Sequence, residues 1–268
     1  MIRPSHGWLS IRFHELWLYR ELLYFLTWRD IKVRYKQAAL GVAWAVFQPL
    51  LTMVIFSVIF GQLAKLPSDG IPYPVFSYVA LLPWQLFAGA LQRSGVSLVG
   101  NSNLLTKVYF PRLIIPFSAV AAGFVDFVIA FAVLLGLMAW FGIKPTWMMV
   151  TLPAFVLLAM LSALAVGLWL SALNVQYRDV QQMIPFLIQA WMYASPVAYS
   201  TNLVPSGPWR IVYGLNPMAG VIQGFRWALL GAPPPNELTF LSVAVVCVLL
   251  VTGLLYFRRM ERTFADVV

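Results

Sequence analysis

Few residues in this sequence have the types and spacing that enzyme chemistry requires. The two histidines, His6 and His14, lie eight positions apart near the N-terminus, which is not the spacing of a metal-binding cluster. The chain contains neither the Gly-x-Ser-x-Gly motif of a serine hydrolase nor the Walker phosphate-binding motif. We therefore predict that the chain has no catalytic residue, no metal site and no cofactor of its own, and that it does not hydrolyse ATP.

Asp126 is the one acidic residue well inside an apolar segment, where it lies between Phe124 and Phe127. A charge at the centre of a bilayer costs about 2.5–3.5 kcal/mol and usually marks a function. An ion-coupled carrier normally needs several such groups together with a partner. We expect Asp126 to face protein or a wet interior, where it bonds to a neighbouring helix or is protonated.

The composition excludes an ordinary soluble enzyme. Of the 268 residues, 61% are hydrophobic and only 10% are charged, against about 25% charged residues in a soluble domain. Cys247, the single cysteine, lies in an apolar run, so no disulfide framework is predicted. The net charge is +9, but the basic residues lie between apolar runs, which indicates membrane topology and no nucleic-acid partner.

Six apolar runs are long enough to cross a bilayer, since about 20 residues suffice. We place these spans at residues 41–63, 75–99, 113–140, 148–173, 180–199 and 238–257. The second and fifth are interrupted by Pro83 and Pro185, for which a kink is the simplest interpretation. The sequence therefore predicts an all-α integral membrane protein, with a six-span domain over residues 38–268.

The basic residues are distributed unevenly between the two sides of the predicted bundle. Six spans put both termini on one side, and 14 of the 18 Lys and Arg residues fall there. The four on the other side are Lys65, Lys144, Arg210 and Arg226. Loops rich in Lys and Arg stay in the cytoplasm. We therefore predict that both termini are cytoplasmic.

Residues 1–37 form a separate cytoplasmic segment in this interpretation. Residues 8–25 have the pattern of an amphipathic helix that lies in the membrane interface; a partly exposed helix without a special role is the alternative. A charged collar at residues 28–36 follows. This collar contains a basic motif that either anchors the first span to anionic lipid or docks a cytoplasmic partner. The residues of the motif are Arg29, Asp30, Lys32, Arg34 and Lys36.

The connection at residues 201–237 is long but hardly hydrophilic. Asn216 suits the cap of a helix and Pro217 its first turn, and the amphipathic stretch runs to Leu229. Short re-entrant helices that dip back toward the membrane would explain this composition. A helix resting on the lipid surface would explain it equally well.

Several motifs occur in order along nearly the whole chain: Arg29–Gln37, Leu40–Trp44, Gln48–Pro49, Tyr109–Arg112, Asn174–Asp179, Leu215–Met218 and Phe225–Arg226. Together they resemble those of type-2 ABC exporter permeases. The most similar branch is the polysaccharide exporters that carry O-antigen, capsule or teichoic acid.

The resemblance implies a homodimer that exports a lipid-linked polysaccharide across the bacterial cytoplasmic (inner) membrane. Two cytoplasmic ABC ATPase subunits would bind the ATP and Mg, and the interface segment and two loops would meet them. The resemblance assigns the outer gate to Asn216, Pro217 and Arg226. It assigns coupling to the ATPase to Asn101, Asn103, Lys107, Tyr109, Arg112, Tyr177, Arg178 and Asp179.

Aromatic residues make up 15% of the chain, and some of them are expected to stack on sugars in the channel. An aromatic belt at the bilayer interfaces is the alternative. The predicted channel residues are Trp44, Gln48, Gln189, Trp191, Tyr193 and Tyr199.

Three other functions are left open. They are export of a drug or small lipid, an ion-coupled secondary transporter, and a membrane-embedded glycosyltransferase. The lack of paired carboxylates disfavours the glycosyltransferase.

Overall fold

The computed structural model describes residues 17–36, 41–203, 207–261 and 264, and this part of the chain is helical without a strand. The predicted all-α class is therefore confirmed. A π-helix continues α2 over Ser57–Leu63, and a 3₁₀ turn at Trp147–Thr151 precedes α6. The helices are α1 (Arg20–Lys36), α2 (Gly41–Phe56), α3 (Tyr73–Gly100), α4 (Ser102–Lys107), α5 (Ile114–Trp140), α6 (Leu152–Gln176), α7 (Val180–Tyr193), α8 (Pro208–Gly214), α9 (Pro217–Leu230) and α10 (Glu237–Glu261).

Helix α3 forms the centre of the bundle, and α5 and α6 pack along its length. Small residues permit this close packing, as is common between helices in membranes. A Cβ atom at Gly167 of α6 would lie 2.4 Å from the Ser94 hydroxyl of α3. At Gly253 of α10, it would lie 2.9 Å from the carbonyl oxygen of Ala165. The three helices α3, α6 and α10 therefore approach too closely for larger side chains.

Among the described residues, five helices are long and apolar enough to cross a membrane, and they match five of the six predicted spans. They are Ala43–Leu63, Tyr73–Gly100, Ile114–Trp140, Trp147–Gln176 and Glu237–Glu261. The remaining predicted span, at 180–199, contains only the 14-residue helix α7. At 1.5 Å per residue α7 is about 21 Å long, shorter than a hydrocarbon core of about 30 Å. The chain turns at residues 194–199, so the predicted six-helix count is not confirmed.

Helix α1 differs from the predicted interface segment in its bounds. The charged collar was expected to follow a helix at residues 8–25, but it lies within α1 itself. Glu21 in the first turn and Arg34 and Lys36 in the last turn suit the helix dipole. Residues 1–16, which include both histidines, lie outside the described residues.

The bundle has two distinct ends, which we name after helices that lie there. At the α1 end, Arg29 donates to Asn101, and the backbone N–H of Arg112 donates to Glu261 at 3.2 Å. At the α9 end, residues 64–72 meet residues 194–203, where the Ser200 hydroxyl donates to Asp69 at 2.8 Å.

Helix α9 begins as the sequence predicted. The Asn216 side chain accepts a hydrogen bond from the backbone N–H of Met218, and Pro217 is the first helical residue. Gly231 ends the helix at a φ of 70°, a left-handed conformation that favours glycine. Its central residues, such as Phe225, are fully buried against α3, α6 and α10. Of the two interpretations, this burial favours a short helix packed back into the bundle.

Candidate functional site

The outer face of α7 carries a stripe of polar and aromatic side chains. Gln182, Phe186, Gln189 and Tyr193 follow each other at intervals of three or four residues, so they lie on one face of the helix. All four are exposed, Phe186 to 76% and Tyr193 to 61%. Glutamine side chains are unfavourable against lipid because their amides lose hydrogen bonds to water. This face therefore suits contact with a second protein or with a polar pathway.

Four of the six predicted channel residues are exposed. Trp44 and Gln48 are four positions apart on one face of α2, and Gln189 and Tyr193 belong to the α7 stripe. Helices α2 and α7 both pack on α3. The sequence prediction missed Gln182 and Phe186, although extending the helical spacing back from Gln189 and Tyr193 would have found them.

The other two predicted channel residues lie inside the subunit. The Trp191 indole N–H donates to the Asn216 side chain at 2.9 Å, and its ring lies 5.0 Å from that of Phe87. Tyr199 is half-buried, and its carbonyl oxygen accepts a hydrogen bond from Arg226. Both residues therefore support the α9 end of the bundle within one subunit.

Asp126 joins three helices through its carboxylate. It accepts hydrogen bonds from the Arg34 guanidinium and the Tyr35 hydroxyl of α1. Arg93 of α3 lies 3.6 Å from the same carboxylate and also donates to the carbonyl of Ala119 at 3.3 Å. Burial and the hydrogen bond to Asp126 raise the pKa of Tyr35 to about 12, so this phenol remains a hydrogen-bond donor at neutral pH. The cluster has two positive charges and one negative charge.

The basic motif of α1 divides into two groups. Arg29 forms an ion pair with Asp30 at 2.8 Å and also donates to the Asn101 side chain at 2.8 Å. Arg34 turns inward to Asp126. Lys32 and Lys36 are exposed, and the Lys32 ammonium lies 5.4 Å from the centre of the Trp28 ring. Two residues of the motif thus fix α1 to the bundle, while the lysines face outward.

The predicted coupling residues lie together at the α1 end, but they differ in exposure. Asn101 and Arg112 are partly buried and hold this end together through Arg29 and Glu261. Tyr109 is 86% exposed, and Tyr177 is 57% exposed. The remaining coupling residues are also exposed, namely Asn103, Lys107, Arg178 and Asp179. Two aromatic side chains thus project from this end, each beside charged residues.

The predicted gate residues form a network at the α9 end. The Asn216 amide, which caps α9, also donates to the Ala194 carbonyl at 3.1 Å and the Ser195 hydroxyl at 3.0 Å. Pro217 is buried at the start of the same helix. The network links α9 to the turn that follows α7.

Arg226 is the second part of this network, and it is only 4% exposed. Its guanidinium donates to the carbonyls of Tyr199 at 3.0 Å and Val197 at 3.3 Å, and it lies 3.8 Å from the centre of the Phe76 ring. Burial lowers the pKa of Arg226 to about 10, so the side chain stays charged at neutral pH. A buried cation in this position ties residues 197–199 to both α9 and α3.

The apolar helices are long enough to span a bilayer, and they surround the buried central helix α3. The ionisable side chains of Asp126, Arg34 and Arg93 are paired inside the bundle. These features define an integral membrane protein. Within the described residues, no group of His, Cys, Asp or Glu side chains could hold a metal ion. The chain belongs to the ABC-2 type transporter family, whose sequence profile matches residues 21–230.

Individual relatives match over almost the full length of the chain. An O-antigen export system permease protein of Myxococcus xanthus is 32% identical over 238 residues, which cover 88% of this chain and 90% of the relative. One from Klebsiella pneumoniae is 30% identical, with 92% and 95% covered. A polysialic acid transport protein of Escherichia coli is 25% identical, with 87% and 91% covered.

Proposed function

We propose that the chain is the permease subunit of an ATP-driven exporter of a lipid-linked polysaccharide of the O-antigen, capsule or teichoic acid type. The observation that carries this proposal is the match of nearly the whole chain to O-antigen export permeases. The exposed glutamine and aromatic stripe on α7 supports it, because glutamine amides and aromatic rings suit a sugar chain better than lipid. The permease contributes the pathway, and the energy comes from ATP bound with Mg by a separate subunit.

The pathway lies between two copies of the chain in this proposal. One subunit presents Gln182, Phe186, Gln189 and Tyr193 on α7, and Trp44 and Gln48 on α2, as exposed side chains. In a homodimer, these faces meet and enclose a channel. Glutamine amides then exchange hydrogen bonds with sugar hydroxyls or water, and aromatic rings stack on sugar faces.

Coupling to two ATPase subunits occurs at the α1 end. Tyr109 and Tyr177 project there, on loops that are too short to fold alone. Arg29 links α1 to the end of α3, and Arg112 links the start of α5 to the end of α10. A movement imposed at this end by ATP-driven closure of the ATPases therefore reaches four helices, α1, α3, α5 and α10.

The proposed topology has six crossings, cytoplasmic termini and a bacterial cytoplasmic membrane. Although α7 is short, residues 180–200 run along α3 from one end to the other. Ile184 lies against Gly95 near the α1 end, and the Ala198 carbonyl accepts a hydrogen bond from Tyr73 at the α9 end. In this proposal, the turn after α7 completes the crossing within protein, where the carbonyls of residues 197–199 accept hydrogen bonds from Arg226 and Tyr73.

Loss of export in cells tests the function. In a strain that lacks this gene but still makes the glycan, lipid-linked polymer should accumulate on the cytoplasmic side and disappear from the surface. Restoring the gene should restore surface glycan, measured with a glycan-specific antibody. Normal surface glycan in the deletion strain would contradict the proposal, as would restored export without the ATPase subunit.

Two other functions are alternatives to this proposal. Export of a drug or small lipid would also use the ABC-2 family, and vesicle assays with a glycan lipid and a small amphiphile separate the two. An ion-coupled carrier needs an acid free to bind and release an ion. Asp126 is instead held by Arg34, Tyr35 and Arg93, so it acts as a structural counterion.

A further inference from the structure

A polar cavity lies at the α9 end, apart from the exposed stripes of α2 and α7. Its walls come from residues 201–202, α8, α9, residues 233–236 and the start of α10. Its volume is about 190 Å³. Because a water molecule occupies about 30 Å³ in the liquid, the cavity has room for several waters or for one sugar ring.

The lining of this cavity offers both hydrogen-bond donors and acceptors. Each amide supplies both kinds of group, whereas the guanidinium supplies donors only. No carboxylate lies among the described residues that line it. Polar lining residues include Asn202, Arg210, Tyr213, Gln223, Asn236 and Ser242.

Two of these polar side chains have no partner among the described residues. The Gln223 amide makes no hydrogen bond with them, and the exposed Arg210 forms no ion pair with them. Both side chains are therefore free to bind a ligand that carries several hydroxyl groups.

Gln223 also borders a smaller neighbouring cavity of about 20 Å³, which can hold one water. Asp69, Ser200 and Arg226 line that smaller cavity. Asp69 accepts hydrogen bonds from Ser200 at 2.8 Å and Asn202 at 3.3 Å. A polar surface therefore continues from the buried Arg226 through Gln223 to the larger cavity.

We propose that the larger cavity binds one sugar residue of the exported glycan on the outer side of the membrane. This inference rests on the proposed function. The polar lining disfavours an acyl chain. A phosphate would need more positive charge than the exposed Arg210 supplies. A neutral or acidic sugar fits, because its hydroxyls both donate to and accept from amides.

Cysteine protection tests this site in the full chain with its ATPase subunit. Pro234→Cys, at an exposed lining position that supplies no hydrogen bond to the sugar, is made on a Cys247→Ser background, together with Leu203→Cys as a matched control. Leu203 is 49% exposed beside the cavity but does not line it. Spheroplasts of two otherwise identical strains, one making the glycan and one lacking its first sugar transferase, are treated with a small membrane-impermeant thiol reagent.

We expect the cysteine at position 234 to react about fivefold more slowly in the glycan-making strain, as for a site occupied about four-fifths of the time. The control should react equally fast in both strains. Equal rates at position 234 would overturn the inference, as would a cysteine that never reacts in the glycan-free strain. Surface glycan is measured in the same cells, so export that continues without protection refutes this site and leaves the proposed function intact.

Discussion

The Asp126 carboxylate of α5 accepts a hydrogen bond from Arg34 of α1, although 92 positions of sequence separate the two residues. Arg93 of α3 lies 3.6 Å from the same carboxylate. One acidic side chain therefore joins α1 to two helices of the bundle, so the cluster fixes the position of α1 relative to α3 and α5.

Replacing Asp126 by Asn should destabilise the protein by about 1–3 kcal/mol, because Arg34 and Arg93 then face each other without a counterion. Thermal unfolding of the purified protein in detergent measures the effect. Arg34→Gln alone should also lower the melting temperature. If the ion pair is responsible, the double variant loses less stability than the sum of the single variants. Additive losses would show that the pair contributes nothing.

Tyr193→Ala should slow glycan export several-fold without changing the melting temperature, because its side chain contacts little within the subunit. Trp191→Ala should instead lower stability, since it removes the hydrogen bond to Asn216 and the ring contact with Phe87. Phe240→Ala is the control, a 75% exposed aromatic side chain on α10. Unchanged export in the Tyr193 variant would remove α7 from the channel lining.

Tyr109→Ala and Tyr177→Ala should weaken coupling, which we define as the stimulation of ATPase activity by substrate. Both side chains project from the α1 end, where we place the ATPase subunits. Trp147→Ala serves as a control, because Trp147 is 76% exposed but precedes α6 near the α9 end. The readout is ATP hydrolysis by the reconstituted complex. An equal effect of all three substitutions would argue against a specific coupling surface.

Arg226→Gln should destabilise the α9 end by about 2–4 kcal/mol, because two buried carbonyls lose a charged donor. Arg226→Lys should recover only part of the stability, since an ammonium group cannot reproduce the planar fork that reaches both carbonyls. Lys144→Gln, at an exposed position, is the control. Hydrogen exchange of residues 197–199 reports the local effect. Unchanged protection there in Arg226→Gln would contradict the assigned role.

Long apolar runs were readily predicted from sequence because a bilayer imposes both length and hydrophobicity on a span. The predicted runs at 113–140 and 238–257 therefore correspond closely to α5 and α10. The Asn216 cap was also predictable, since capping depends on neighbouring residues only. The bounds of α1 were not predictable from sequence. The charged residues at 28–36 differ in composition from those before them, which suggested a boundary, but the helix continues through them in the structure.

The site was less predictable because it depends on packing between distant segments. Trp191 and Tyr193 are two positions apart and chemically similar, yet one faces the subunit interior and the other faces outward. The partners of Asp126 lie about 30 and 90 positions away on other helices, and no local pattern indicates them. The polar cavity combines residues from five segments between positions 201 and 242, so only the folded chain reveals it.

Reconstitution into liposomes tests the central proposal most directly. The purified chain alone, given either ATP or an ion gradient, should neither hydrolyse ATP nor move the lipid-linked glycan. With its ATPase subunit and Mg-ATP, it should transfer the glycan lipid across the bilayer, detected by a glycan-cleaving enzyme confined to the other side. Transport driven by an ion gradient through the chain alone would contradict the account.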